Sequence, residues 1–304
     1  MKAGIVGAGS LGCIFSYIFY KSNLDFVVYE KDNETVQEIQ AKGLTVSDIN
    51  KEINIKIFIS SNVEILSSCD LIFLLVKSYS TEEAIKSIKP YLKDNSIIIS
   101  LQNGIGNFET ICNFIDKDQV VYGTTTIGAS KKSPSHVIAG GYGYIKIGSP
   151  STTALNNVVS FLNKTTIELY STENPSLAVW EKAIINAGIN PIASVLNITN
   201  GEIIKIPFAS SIQDSIVQEA CTVAAKSGIE MDYNSMLATV KEVCQKTAKN
   251  KCSMLQDVLQ KRKTEIDSIN GFILKRAKKL GLAAPVNETM FNLIKSIEKK
   301  YINI

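Results

Sequence analysis

This 304-residue chain has little with which to build a metal centre: its single histidine, His136, and its cysteines at 13, 69, 112, 221, 244 and 252 form neither a C-x-x-C pair nor any metal-like grouping. Without such spacing there is also no sign of a disulfide framework, and a reduced, cytoplasmic setting is expected. No apolar run approaches the roughly 18 residues that a membrane span requires. A secretory leader is not expected either, because the opening apolar stretch lasts only about five residues before a glycine turn. The formal charge is just +3, from 32 basic and 29 acidic residues spread along the chain, which argues against a nucleic-acid partner. The basic tail Lys295 to Lys300 reads as the solvated face of a C-terminal helix. Repeats and low-complexity tracts are absent. What is present is 45% hydrophobic residues in a length that suits two domains with real cores.

The opening residues carry the strongest signal. Gly7-Ala8-Gly9-Ser10-Leu11-Gly12 follows a short apolar strand, Ala3 to Val6, and precedes the apolar stretch Cys13 to Phe19. A G-x-G-x-x-G loop between strand and helix is a pyrophosphate cradle. Gly7 permits the tight turn, Gly9 lets backbone amides approach the phosphates, and Gly12 lets the helix lie against the sheet. The ligand's charge then meets the positive end of the helix dipole. A second apolar run, Phe26 to Tyr29, ends at Glu30, in the window where an acid accepts the adenosine ribose hydroxyls, with Lys31 next to it as a candidate for the extra phosphate of NADP.

Further apolar runs at Ile53 to Ile59, Leu71 to Val76, Ile97 to Leu101 and Val120 to Thr125 alternate with helical patterns such as Glu82 to Ile88 and Phe108 to Phe114. Such alternation predicts an α/β fold, a doubly wound parallel sheet of the Rossmann type. Tyr144 to Ile147, flanked by Gly140-Gly141-Tyr142-Gly143 and Gly148, reads as a late hairpin. From about Pro175 onward the spacing is helical, including Trp180, Ile184 and Ala187 and the series Leu255, Leu259, Ile266, Ile269 and Ile273. The expected organisation is a dinucleotide-binding domain over residues 1–172, then an all-α substrate-binding and catalytic domain over residues 173–304. Ligands of open α/β sheets gather beyond the strands' carboxyl ends, so the reactive end of a cofactor is expected to face the helical domain across a cleft.

Several polar residues stand where chemistry would need them. Lys77 and Asn103 follow strands that run out toward the ligand side, although Asn103-Gly104 also suits a simple turn. Lys182 and Asn186, four apart on one helix face, lie among apolar neighbours. A lysine in a partly dry setting has its pKa lowered, which fits it to protonate a carbonyl oxygen as hydride arrives at carbon. A solvent-facing lysine that snorkels past apolar surface is the plainer account. Ser253 reads as an N-cap, with Gln256 completing a capping box, and the Ser253 hydroxyl could instead serve a ligand carboxylate. Glu265, read as close to the same helix face, could fix Lys182 or accept a substrate hydroxyl.

Taken in order, the glycine loop, Leu75-Val76-Lys77, Gln102-Asn103-Gly104, Glu181-Lys182 with Asn186 and Asn190, Asn200-Gly201-Glu202, and Ser253-Met254-Leu255-Gln256-Asp257 with Thr264-Glu265-Ile266-Asp267 resemble the ketopantoate reductase family over nearly the whole chain. The resemblance implies reduction of 2-dehydropantoate to (R)-pantoate with a nicotinamide cofactor, in the pantothenate and coenzyme A pathway. It implies Lys182 as general acid and Glu265 as the residue that binds the substrate hydroxyl and orients the lysine. Asn186, Asn190, Asn200, Asn250 and Ser253 would hold substrate polar groups. Gly7, Ala8, Gly9, Ser10, Leu11, Gly12, Glu30, Lys31, Lys77, Asn103 and Glu265 would line the cofactor.

NADP-preferring members of that family resemble an Ala-Arg pair where this chain has Glu30-Lys31. An acid there disfavours a 2′-phosphate, and a lysine lacks the planar fork that grips one. The cofactor, NADP or NAD, is therefore expected to lean to NAD. The same departure keeps open a second substrate, as in NAD-dependent D-2-hydroxyacid dehydrogenases of the family. A dinucleotide-binding sensor without catalysis is the third reading, against which Lys182, Ser253 and Glu265 stand. The expected partner is a small 2-keto acid, and a homodimer is the expected assembly, with Phe272 and Ile273 as a candidate face that core packing explains as well.

Overall fold

The computed structural model describes residues 1–48, 51–141 and 143–302, which leaves Tyr142 of the glycine-rich punctuation outside the described residues. By contacts the chain divides into two units, one of residues 1–102 and 107–175, the other of residues 103–106 and 176–304.

The first unit opens with β1 (Ala3–Val6), α1 (Ser10–Lys21), β2 (Phe26–Tyr29), α2 (Asn33–Lys42), β3 (Leu44–Ser47), β4 (Glu52–Ile55) and β5 (Ile59–Ser60). It continues through β6 (Leu71–Leu74), α3 (Thr81–Ile88), β7 (Ile97–Ser100), α4 (Asn107–Cys112) and β8 (Val120–Thr125). Strands β9 (Ala129–Ser133), β10 (His136–Ala139) and β11 (Tyr144–Gly148), helix α5 (Thr152–Leu162) and strand β12 (Glu168–Ser171) complete it. The main sheet has eight strands in the order β12-β11-β8-β7-β6-β1-β2-β5. Six of them, from β8 across to β5, run parallel in a doubly wound Rossmann order that reverses between β1 and β6. The glycine loop after β1 and Lys77 after β6 both sit beyond this reversal, where such sheets collect ligands.

Burial on both faces explains why these strands read as unbroken apolar runs. Ile5, Leu71, Phe73, Ile97 and Ile99 point into one core, with α1 and α5. Their neighbours Val6, Ile72, Leu74 and Ile98 point into the other, with Ile85 and Ile88 of α3.

Two strand expectations need correction. Ile53 to Ile59 is not one strand: β4 pairs with β3 in a separate four-stranded sheet, β4-β3-β10-β9, while β5 pairs with β2 in the main sheet. Tyr144 to Ile147 is not a hairpin but a single strand, antiparallel to β8 and parallel to β12. The hairpin lies just before it, between β9 and β10.

The second unit is helical: α6 (Pro175–Leu196), α7 (Asn200–Lys205), α8 (Pro207–Lys226), α9 (Tyr233–Lys246), α10 (Ser253–Leu259), α11 (Asn270–Lys279) and α12 (Pro285–Glu298). Its core gathers Trp180, Ile184, Ala187, Ile216, Val240, Leu255, Ile273 and Ile294. The series Leu255 to Ile273 is not one helix. A loop and a short turn at Ile266–Ser268 separate α10 from α11, which sets Glu265 off the α10 face. Ile273 is wholly buried, and half-buried Phe272 packs edge-on against Trp180 with ring centroids 6.1 Å apart, so of the two accounts offered for these residues core packing is the one the structure favours. The tail is not simply a solvated face either: Lys299 and Lys300 are exposed, but Glu298 is 0% exposed and Lys295 is drawn toward it.

Candidate active site

In the first unit each glycine of the loop meets a different demand. Gly7 takes φ +98°, a conformation that L side chains rarely adopt, and a Cβ there would lie 2.9 Å from Val76 Cγ1. A Cβ on Gly12 would lie 1.9 Å from the Gly7 carbonyl oxygen, so helix and turn approach closely only through glycine. Gly9 is exposed, and a Cβ there would meet nothing within 4 Å. Among the described residues no contact requires glycine at that place, and the backbone there is open to approach from outside. The first turn of α1 has no side-chain cap and no acidic residue, so its N–H end suits an anion.

Glu30 closes the loop from β2. Its Oε2 accepts the Ala8 N–H at 2.7 Å and its Oε1 accepts the Asp32 N–H at 3.0 Å. Lys31 turns to Glu83, with Nζ 2.8 Å from the carboxylate, and both side chains are well exposed. The Glu83 hydrogen bond holds the Lys31 ammonium above its ordinary pKa. Beyond β6 and β7, buried Gln102 donates to the Val76 carbonyl at 2.9 Å and to Thr81 Oγ1 at 2.8 Å, which fixes the strand ends around partly buried Lys77.

In the second unit, residues 103–106 dock against the turn after Glu265. The Ile105 N–H donates to the Ser268 carbonyl at 2.9 Å. Gly104, at φ +83°, leaves no room for a side chain, because a Cβ would come within 2.5 Å of Ser268 Oγ. This docking brings the Asn103 amide to Glu265, with Nδ2 donating to Oε2 at 3.2 Å. Glu265 is only 6% exposed. Burial pushes the Lys182 ammonium down to a pKa of about 8, and the field of Glu265 acts in the opposite direction. Lys182, Glu265 and Asn103 thus form one electrostatic group.

Lys182 is followed on α6 by Asn186, Asn190 and Ser194 at intervals of four residues, the last two buried. Asn190 is buried, and its carbonyl receives Ser194 Oγ at 2.7 Å and Cys252 Sγ at 3.6 Å. Cys252 rather than Ser253 is the N-cap of α10, its sulfur accepting the Leu255 N–H at 3.4 Å, and Gln256 bonds to the Lys251 carbonyl instead of closing a capping box. Ser253 is left exposed beside the Asn190 region. Asn200 opens α7 and donates to Thr247 Oγ1 at 2.9 Å, while its Oδ1 is buried without a hydrogen-bond partner among the described residues. Its backbone N–H donates to the carbonyl of Asn250, 3.0 Å away, so these two asparagines also lie together.

Glu298 escaped the sequence reading, and Thr264 entered it only as part of a motif, with no role of its own. Thr264 and Glu298 are both 0% exposed and bonded to each other through two contacts of 2.7 Å. The signal was present in the phase of Asn287, Met290, Ile294 and Glu298 on the buried side of α12.

Residues 3–152 match the family described as Ketopantoate reductase PanE/ApbA, and residues 174–298 match Ketopantoate reductase PanE/ApbA C terminal. A 2-dehydropantoate 2-reductase of Pyrococcus abyssi is 36% identical over 301 residues, 98% of each chain, and that of Archaeoglobus fulgidus is 32% identical over 300 residues, again 98% of each. Among solved structures, D-mandelate dehydrogenase with NADH and anilino(oxo)acetate superposes with a TM-score of 0.94 at 27% identity, covering 99% of both chains. With both parts of the family matched in order and relatives aligned along its length, the chain belongs to the ketopantoate reductase family.

Proposed function

We propose that the protein is a 2-dehydropantoate 2-reductase, which reduces 2-dehydropantoate to (R)-pantoate with a nicotinamide dinucleotide in the route to pantothenate and coenzyme A. The observation that carries this is the coupling of Lys182, Glu265 and Asn103 in a chain whose full-length relatives bear that name. On this reading residues 1–172 hold the dinucleotide and residues 173–304 the substrate. The loop Gly7, Ala8, Gly9, Ser10, Leu11 and Gly12 would take the pyrophosphate, Glu30 and Lys31 the adenosine ribose side, and Lys77 and Asn103 the nicotinamide side. The open space at Gly9 and the uncapped first turn of α1 support this assignment.

When bound, the dihydronicotinamide supplies the hydride. As the substrate's C2 becomes tetrahedral, negative charge gathers on its oxygen, and the Lys182 ammonium stabilises that charge and gives up a proton to it. With a pKa of about 8, Lys182 is mostly protonated near neutrality yet parts with its proton far more readily than an ordinary lysine. Glu265 keeps the ammonium charged and accepts the substrate's 4-hydroxyl. Asn186, Asn190, Asn200, Asn250 and Ser253 would bind the carboxylate and remaining polar groups; the orphaned Oδ1 of Asn200 supports its part in this. For assembly we propose a homodimer, supported by the exposed apolar side chains Ile206, Phe208 and Ile212 of the helical unit, of which Phe208 is 83% exposed.

A second reading, an NAD-dependent D-2-hydroxyacid dehydrogenase, is favoured by Glu30 and by the likeness to D-mandelate dehydrogenase with NADH. Initial rates of NADH and NADPH oxidation with 2-dehydropantoate, 2-ketoisovalerate and phenylglyoxylate separate the two. The first reading requires the highest kcat/KM with 2-dehydropantoate, and a loss on the order of a hundredfold or more in kcat for Lys182→Ala with cofactor affinity little changed. Faster turnover of phenylglyoxylate selects the second, and near-normal turnover of Lys182→Ala rejects the mechanism.

A further inference from the structure

Glu298, the last residue of α12, is a carboxylate with no exposed surface. Burying such a group is costly unless its oxygens are matched by donors or charge. Here Oε1 accepts both the N–H and the hydroxyl of Thr264, each at 2.7 Å. Oε2 lies 3.0 Å from Lys295 Nζ, which also reaches Asp267 Oδ2 at 3.2 Å. A hydrophobic residue in place of Glu298 would leave two donors of Thr264 buried and unpaired.

What this carboxylate grips is the residue immediately before Glu265. The loop between α10 and the turn at Ile266–Ser268 has no regular backbone ladder to set its course. It is pinned at its near end, where Arg262 bonds Asp257 Oδ1 at 3.1 and 2.8 Å, and at its far end by Glu298 through Thr264. Thr264 Oγ1 passes the restraint onward by accepting the Ile266 N–H at 3.3 Å, so both neighbours of the catalytic carboxylate are held. Asn103 then meets a carboxylate whose backbone is already fixed.

We propose that Glu298 is a positioning residue for the reduction: by clamping Thr264 it holds Glu265 in place against Asn103 and Lys182. The proposal rests on the reading of Lys182 and Glu265 given above, and it adds a requirement from α12 that touches neither substrate nor cofactor. The physical logic is that of a buried polar support, in which an acceptor oxygen is retained because it fixes geometry rather than because it adds stability.

The test follows Lys182 itself, without need of substrate. In protein labelled with 13Cε-lysine, the Lys182 resonance is assigned by its loss in Lys182→Met and titrated by NMR in wild type, Glu298→Ala, Glu298→Gln, Thr264→Val and Lys295→Ala. Because Glu265 holds the Lys182 pKa up, a displaced Glu265 lets it fall further. The expected result is a lower titration midpoint in Glu298→Ala and a smaller drop in Thr264→Val. Glu298→Gln, whose amide oxygen still accepts from Thr264, stays near wild type, and Lys295→Ala loses thermal stability without moving the midpoint. In parallel, kcat with the best 2-oxo acid falls on the order of tenfold in Glu298→Ala, with KM for the dinucleotide unchanged. A folded Glu298→Ala or Thr264→Val protein with the wild-type Lys182 midpoint overturns the proposal. If Glu298→Ala does not fold, Thr264→Val decides in the same way. Should wild type reduce no 2-oxo acid, the functional reading fails while the titration still decides whether Glu298 positions Glu265.

Discussion

Asn103 and Glu265, separated by 162 positions in sequence, share a hydrogen bond of 3.2 Å in which the amide donates to a buried carboxylate. The bond exists because Gly104 and Gly106, both at positive φ, let residues 103–106 lie against Ser268 and Phe272 without side-chain clashes. Removing one partner of a charge-assisted bond leaves the other under-satisfied, at a cost of about 1–3 kcal/mol. Asn103→Ala is therefore expected to lower kcat/KM for 2-dehydropantoate by roughly 5- to 150-fold. Gly104→Ala, which places a Cβ within 2.5 Å of Ser268 Oγ, should lower thermal stability as well. Steady-state kinetics with thermal melts check both. An Asn103→Ala enzyme with unchanged kcat/KM would show that the contact has no role in turnover.

Lys182 also makes a prediction about pH. If Lys182 is the proton donor, as proposed, its pKa of about 8 should leave kcat/KM for reduction level below that pH and make it fall as the pH rises through it. Stability runs the other way. In the unfolded chain this lysine keeps its proton up to about 10.4. Between pH 8 and that value the unfolded state binds more protons, so stability rises with pH, at up to about 1.4 kcal/mol per pH unit from this one group. Lys182→Met removes that slope. Denaturant unfolding of the two proteins from pH 7 to 10 should show wild type gaining on the variant as pH rises. A constant difference would mean that burial does not perturb Lys182.

The glycine loop separates folding from binding within one motif. Gly12→Ala drives a Cβ into the Gly7 carbonyl, 1.9 Å away, and Gly7→Ala is strained at φ +98°, so both should yield poorly folded or strongly destabilised protein. Gly9→Ala meets no atom within 4 Å and should fold with an unchanged melting temperature in the absence of dinucleotide. Its expected defect is in dinucleotide affinity, read by fluorescence titration with NADH and NADPH. Wild-type affinity in Gly9→Ala would show that no ligand presses on this part of the loop.

Much of the fold was legible because its signals are local. The apolar runs at Leu71 and Ile97 and the glycine loop are set by burial on both sheet faces and by a turn, and neither depends on distant partners. The second sheet was not legible, since Ile53 and Ile59 look alike in sequence and only pairing with β3 or β2 tells them apart. At the site, Lys182 could be picked out as a charge on an apolar helix, because that signal is confined to the spacing within α6. The capping of α10 could not, because a cysteine sulfur serves where the pattern pointed to Ser253. Glu298 was hidden by the lysines around it: a basic tail reads as solvated, yet the buried phase of α12 runs through one of its acids.

On the proposed reading, cofactor choice would turn on two adjacent side chains, Glu30 and Lys31, and on Glu83, which competes for the lysine. The Glu30 carboxylate, which accepts the Ala8 and Asp32 N–H groups, occupies the end of β2 with negative charge. If the adenosine ribose binds there, as proposed, a 2′-phosphate would meet repulsion and free ribose hydroxyls would find an acceptor. Lys31 is engaged by Glu83, but the pair is exposed, and such pairs are worth only about 0–1 kcal/mol, so a phosphate can draw the ammonium away. Glu30→Ala should therefore raise the ratio of kcat/KM for NADPH over NADH by about tenfold, the effect of removing one unfavourable charge contact of roughly 1.4 kcal/mol. Adding Lys31→Arg should raise it further through bidentate contact with the phosphate. Glu83→Gln alone should give only a small increase, and that increase should shrink as salt is added, since exposed charges are screened. An unchanged ratio in Glu30→Ala would relieve Glu30 of any part in the choice and leave Lys31 to set it.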